Sequence, residues 1–134
     1  MDNPSPGFRS NPSHHITVDP FDGVVTVRFS SAVIASSKNA KVLKEAGHSD
    51  LLYIPFEDIY FDFLRRSETS THCPFKGDAT YWSVIAAGEA RPDIMWAYEH
   101  PYDEMLAIRG HGAFYPGKVS IEATAAATTD RPMP

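Results

Sequence analysis

Residues 71–82 read THCPFKGDATYW and place the chain's only cysteine, Cys73, three positions before Lys76, with Gly77 directly after the lysine. A thiol beside a cation has its thiolate favoured by opposite charge, the condition for a cysteine nucleophile or a redox thiol. Neighbouring strand residues point to opposite faces, so Lys76 rather than His72 is the activator this corner offers. A binding role competes with that chemistry. Gly77 lets backbone approach a ligand closely, and an ammonium at Lys76 would hold a carboxylate or phosphate there. The plain alternative is a small buried hydrophobe at Cys73 and a lysine that is solvated or paired with Asp78.

The strand signal that follows extends the site. In DATYWSVIA the side chains alternate, so Ala79, Tyr81, Ser83 and Ile85 share one face. In IMWAY, Ile94, Trp96 and Tyr98 share a face, and the short link AGEARPD allows the two strands to pair as a hairpin. Tyr81, Trp96 and Tyr98 then make one aromatic wall. Such walls are most often packed core, but each of these side chains carries a polar tip that needs a partner when buried. Apolar concavities with a few convergent polar groups are what ligand pockets look like.

Other chemistry has little support. A Cys-His-carboxylate constellation would need His100 or His111 brought to Cys73 by folding, with Asp58 as a further proton carrier. No C-x-x-C or H-x-x-x-H spacing marks a metal site, and no cofactor is implied. Phosphate-binding glycine motifs and paired aspartates for two metal ions are missing; Asp58 and Asp62 lie four apart and read as a solvated face.

These residues need a scaffold, and 134 residues with 43% hydrophobic content suffice for one domain with one core. A net charge of -5 gives no footprint for nucleic acid. One cysteine cannot form an internal disulfide, and no apolar run approaches the roughly 20 residues of a membrane span, so a cytoplasmic protein without membrane contact is expected.

The Pro- and Ser-rich residues 1–13 read as a disordered tail, residues 14–122 as a single globular domain, and residues 123–134 as a flexible tail. HITV and VVTVRFS flank DPFDG as a hairpin, and AVIAS makes a further strand. Residues 39–46, NAKVLKEA, lie between an Asn39 cap and Gly47 and predict a two-turn helix. LLYI is a strand stopped by Pro55. A short helix is expected beyond it, with Phe56, Ile59, Tyr60, Phe63 and Leu64 on one face. HGAFY and KVSIEAT complete a tally of about seven strands and two short helices. The links are too short for parallel crossovers, which excludes a Rossmann-type fold. A mainly β, antiparallel two-sheet sandwich or open barrel-like fold remains.

VVTVRFSSAVIASS, LLYIPFEDI, THCPFKGDATYWSV, MWAYEHP and GHGAFYPGKV, in that order, resemble the bacterial domain of unknown function 427 family, sometimes labelled nucleotidyltransferase. The resemblance implies a β-tent-like fold, two sheets pinned at one end with a cleft between them. Its pattern falls on Tyr53, Pro55, Asp58, Cys73, Pro74, Lys76, Gly77, Ala79, Tyr81, Trp96, Tyr98 and Pro101, with Phe114 and Tyr115 near the end. The four-cysteine zinc of other β-tent proteins is not carried over to a chain with one cysteine. Neither the Lys-x-Asp-Gly order of nucleotidyl-lysine enzymes nor the Gly-Ser plus Asp-x-Asp pattern of polymerase-like transferases is present.

Three readings stand. The first is a binding domain for a small molecule, lined by Tyr53, Gly77, Tyr81, Trp96 and Tyr98 with Lys76 as anion anchor. The second is a cysteine-dependent enzyme acting on a small metabolite through Cys73, Lys76 and Asp58. The third is a homo-oligomer or scaffold that uses the aromatic wall as its interface.

Overall fold

The computed structural model describes residues 3–125. After a short helix α1 (Pro6–Ser10) come strands β1 (Ile16–Pro20), β2 (Gly23–Phe29), β3 (Ala32–Ser37), β4 (Lys41–Glu45) and β5 (Leu51–Pro55). Two 3-10 turns, Phe56–Asp58 and Phe61–Phe63, lead into β6 (Leu64–Cys73), β7 (Gly77–Ala86) and β8 (Glu89–Ala97). A 3-10 segment Asp103–Ile108 precedes β9 (His111–Phe114) and β10 (Ser120–Ala125). The strands pair antiparallel in two sheets, a seven-stranded one in the order β1-β4-β5-β9-β8-β7-β6 and a three-stranded one in the order β10-β2-β3. The fold is thus mainly β, as the turn-punctuated short strands predict. Its edge strands β1 and β6 do not pair, so no barrel closes.

The main core lies between the sheets. Val25, Val27 and Ile34 from the small sheet meet Trp82, Val84, Ile94 and Met95 from the large one. Full burial of each such aliphatic side chain contributes about 1.5–3 kcal/mol. Phe56 and Phe61, from the 3-10 turns, each set their rings 6.0 Å from Trp82. A backbone bond from Tyr60 to Ile34 and a bridge between Ala35 and Ile59 tie this crossing to the small sheet. The opposite face of the large sheet carries a second cluster that includes Leu43, Tyr53, Tyr81, Trp96 and Tyr98. Here the sheet curls enough for Glu45, at the end of β4, to reach Lys76 in the turn between β6 and β7.

Several local expectations are corrected. The segment 39–46 is not a helix: β4 pairs with both β1 and β5, and Leu43 is fully buried between them. Tertiary pairing overrides the helical preference of Lys, Leu, Glu and Ala. The helix expected after Pro55 is replaced by the two 3-10 turns. β1 and β2 do not form a hairpin, because the chain crosses between sheets at Phe21, whose N–H bonds Ala40. Gly23 is required there by close approach: a β-carbon would collide with the Thr124 carbonyl. Ile94 does not share a face with Trp96. A register shift against β7, with Asp93 at a φ of 48°, sends Ile94 and Met95 both into the inter-sheet core and Trp96 to the other side. Ile85, expected beside Tyr81, is exposed.

The N-terminal segment from residue 3 is packed rather than a loose tail. The Ser5 side chain is fully buried, its hydroxyl bonding the carbonyls of Pro74 and Phe75 while it caps α1 at the Phe8 N–H. Asn3 and Asp103 exchange two hydrogen bonds of 2.8 Å. At the other end β10 runs to Ala125, three residues into the expected tail, whose remainder lies outside the described residues. Among the described residues no helix is long and apolar enough to cross a membrane.

Candidate functional site

A cavity of about 370 Å³ opens on the second face of the large sheet. Five strands position its walls. Tyr53 comes from β5, Tyr81 from β7 and Trp96 from β8, while Tyr98 and Tyr115 stand just beyond the ends of β8 and β9. Cys73 lines it from the last position of β6, half-buried, opposite Gly77 in the register. Gly77 makes that turn possible with a φ of 123°, and a β-carbon there would press 3.4 Å from the His100 carbonyl.

The polar tips have different fates. The Trp96 indole donates from Nε1 to the Tyr53 hydroxyl at 3.2 Å, with the two rings edge to face. The Tyr81 and Thr71 hydroxyls share a hydrogen bond of 2.9 Å. Tyr98 is only 8% exposed, and its hydroxyl has no hydrogen-bond partner among the described residues. Burial first, then the neighbouring Tyr53, Cys73, Tyr81 and Glu45, push its phenol far above the ordinary range, and Tyr98 lines the cavity. Burial likewise raises Tyr53, although the Trp96 N–H opposes it. Tyr115, its ring 4.5 Å from Trp96, is pushed up to about 12 by burial and by the adjacent Tyr81. Tyr53, Tyr98 and Tyr115 are therefore neutral hydrogen-bonding groups.

Charge enters on one side. Lys76 is 8% exposed and donates from Nζ to Glu45 Oε1 at 2.8 Å; Glu45 is 10% exposed. His14 Nε2 lies 2.9 Å from Glu45 Oε2, its ring stacked 4.3 Å from that of Phe75. The exposed His48 stands 4.0 Å from the same oxygen. Burial alone would raise the Glu45 carboxyl, but the hydrogen bonds from Lys76 and His14, with the charge on Lys76, outweigh it and hold the carboxyl below its ordinary value.

The structure thus brings Cys73, Lys76, Tyr53, Tyr81, Trp96 and Tyr98 to one cavity, and Gly77 to its edge. It does not bring Asp58. That carboxylate accepts from the Ser37 hydroxyl at 2.6 Å and lines a separate surface pocket with Lys38 and Asn39, because the 3-10 turn after β5 carries it toward the small sheet. Lys76 is neither solvated nor paired with Asp78, which binds His72 at 2.7 Å on the exposed surface. His111 is held by the Arg109 carbonyl at 2.8 Å, and neither it nor His100 lines the cavity. Among the described residues no group of three His, Cys, Asp or Glu side chains is placed to hold a metal.

Sequence reasoning missed Glu45, His14 and His48. The signal for Glu45 was present: read as a strand, KVLKE puts Leu43 and Glu45 on one face. His14 had none, since its role depends on the fold of a segment with no periodicity.

Fold and cavity together define an open, two-sheet antiparallel β domain with an aromatic-walled pocket on the outer face of its larger sheet. Residues 17–125 match the model of the family described as Domain of unknown function (DUF427), and the chain belongs to that family. Ser5 and His14, which brace the site, precede the matched region. No curated protein matches the chain.

Proposed function

We propose that this protein is a small-molecule-binding domain whose ligand occupies the cavity among Tyr53, Tyr81, Trp96, Tyr98 and Tyr115. The observation that carries the reading is Tyr98, 8% exposed at a cavity of about 370 Å³, its hydroxyl without a hydrogen-bond partner among the described residues. A buried hydroxyl left unbonded costs about 1–3 kcal/mol. A ligand that lies in the cavity and bonds the hydroxyl removes that cost. Lys76 enters this reading as half of a compensated pair rather than as a free anion anchor. The test is a thermal-shift screen of a metabolite library on the wild-type and Tyr98→Phe proteins. Hits on the wild type that weaken in the variant support the proposal. A library that shifts neither protein contradicts it.

A second reading, a cysteine-dependent enzyme at the same cavity, rests on Cys73 lining it in a half-buried position. Labelling of native Cys73 by iodoacetamide at a rate close to that of the unfolded chain, and blocked by a cavity ligand, would favour it. Inertness until unfolding would leave the binding reading alone.

A further inference from the structure

On the premise that the cavity is the ligand site, we infer that it selects uncharged, flat molecules bearing a hydrogen-bond acceptor or donor, and discriminates against phosphates, carboxylates and ammonium ions. The charge at this site is already spent. Lys76 and Glu45 hold each other at 2.8 Å, and the second carboxylate oxygen faces His14 at 2.9 Å. Both side chains are about nine-tenths buried, so water replaces a lost counter-charge only in part. An anion seeking Lys76 must displace Glu45, leaving a buried carboxylate without its cation, or else lie beside it and be repelled. A cation seeking Glu45 must expel Lys76 by the same logic. Removing one member of a buried pair is far more costly than the pair is worth.

Among the described residues, the rest of the cavity lining adds no carboxylate or ammonium, only the exposed His48, 4.0 Å from Glu45 Oε2. Aromatic rings do attract cations, but Lys118 already sets its ammonium 5.2 Å from the Tyr115 ring. What the cavity presents without a hydrogen-bond partner among the described residues is the neutral hydroxyl of Tyr98 beside the Cys73 thiol, set among aromatic walls in which Trp96 and Tyr115 pack 4.5 Å apart. A flat neutral ligand stacks on such walls and gives Tyr98 its hydrogen bond, and no buried charge loses its partner.

Benzamide, benzoate and benzylammonium share a ring and nearly a shape and differ in charge, so they isolate the claim. Their binding to the full chain can be followed by NMR at the Trp96 indole N–H, assigned with a Trp82→Phe variant. Benzamide is expected to move the Trp96 resonance and to bind about tenfold more tightly than either ion, a gap of about 1.4 kcal/mol. Tyr98→Phe should weaken benzamide by roughly 2–10-fold, the range of one neutral hydrogen bond. Glu45→Gln frees Lys76 and should turn the preference toward benzoate. Tighter binding of benzoate or benzylammonium by the wild type would overturn the inference while leaving the cavity as a ligand site. Unchanged selectivity in Glu45→Gln would also overturn it. No response of Trp96 to any of the three would remove the binding reading, and the inference with it.

Discussion

The two faces of the seven-stranded sheet use neighbouring residues of the same strands, and they are finished differently. On the face toward the small sheet, Trp82 is enclosed by Phe56 and Phe61, and Met95 packs so closely that a β-carbon on Gly112 would come within 2.6 Å of its sulfur. On the other face Tyr53, Tyr81, Trp96 and Tyr98 are just as well shielded from bulk water, yet they leave a cavity of about 370 Å³. The first set carries hydrocarbon, a thioether and one indole. The second carries an indole as well, together with phenols, a thiol and an ion pair. A chain able to close one face so tightly has the means to close both, and the difference separates residues that hold the fold from residues available to a ligand.

Mutations on the two faces should have different consequences. Trp82→Ala should cost most, about 3–5 kcal/mol of unfolding free energy in denaturant, because it opens a void in the packed face. Glu45→Gln should cost about 2 kcal/mol, less than a fully enclosed pair, since water reaches the cavity beside Lys76. The same variant tests pH dependence. Glu45 titrates below its ordinary value of 4.5 when folded, so its stabilisation is complete above that pH and is lost as pH falls through the lower folded value. Thermal melts across this acid range should show a smaller loss in Glu45→Gln than in the wild type. Ser5→Ala should cost about 1 kcal/mol as a lost cap and should speed iodoacetamide labelling of Cys73, since Ser5 ties α1 to the Pro74 and Phe75 carbonyls. Tyr98→Phe should cost nothing and should raise stability by about 1 kcal/mol, the low end of the penalty for a buried hydroxyl without a partner, because it removes that hydroxyl. A large loss there would place Tyr98 with the packed face.

Much of this was legible in the sequence, and for physical reasons. The alternation through ATYWSVIA predicts the β7–β8 hairpin, in which Tyr81 and Trp96 stand opposite each other, but five residues of the expected link AGEARPD, Glu89–Asp93, belong to β8 and only Ala87 and Gly88 connect the strands. β6 was not legible, since only Leu64 in that strand is buried and LRRSETSTHC carries no apolar alternation. β4 was misread because its letters favour a helix while its two neighbours come from distant sequence. The site divides in the same way. Cys73, Lys76 and the aromatic wall follow from strand period and turn chemistry, whereas the Glu45 and His14 contacts with Lys76 and Phe75 depend on the curl of a seven-stranded sheet and the docking of an N-terminal segment. Asp58 was placed on the wrong side for want of one fact: the turn after Pro55 heads toward the small sheet.

The chain has two tryptophans, one on each face, and this permits the most direct test. In a Trp82→Phe protein Trp96 is the sole indole reporter, and in Trp96→Phe the reporter is Trp82. Titrating both with hits from a metabolite screen should give a saturable fluorescence change in the first protein and none in the second. A change confined to Trp82, or no change in either protein, would contradict the assignment of the cavity face as the binding face.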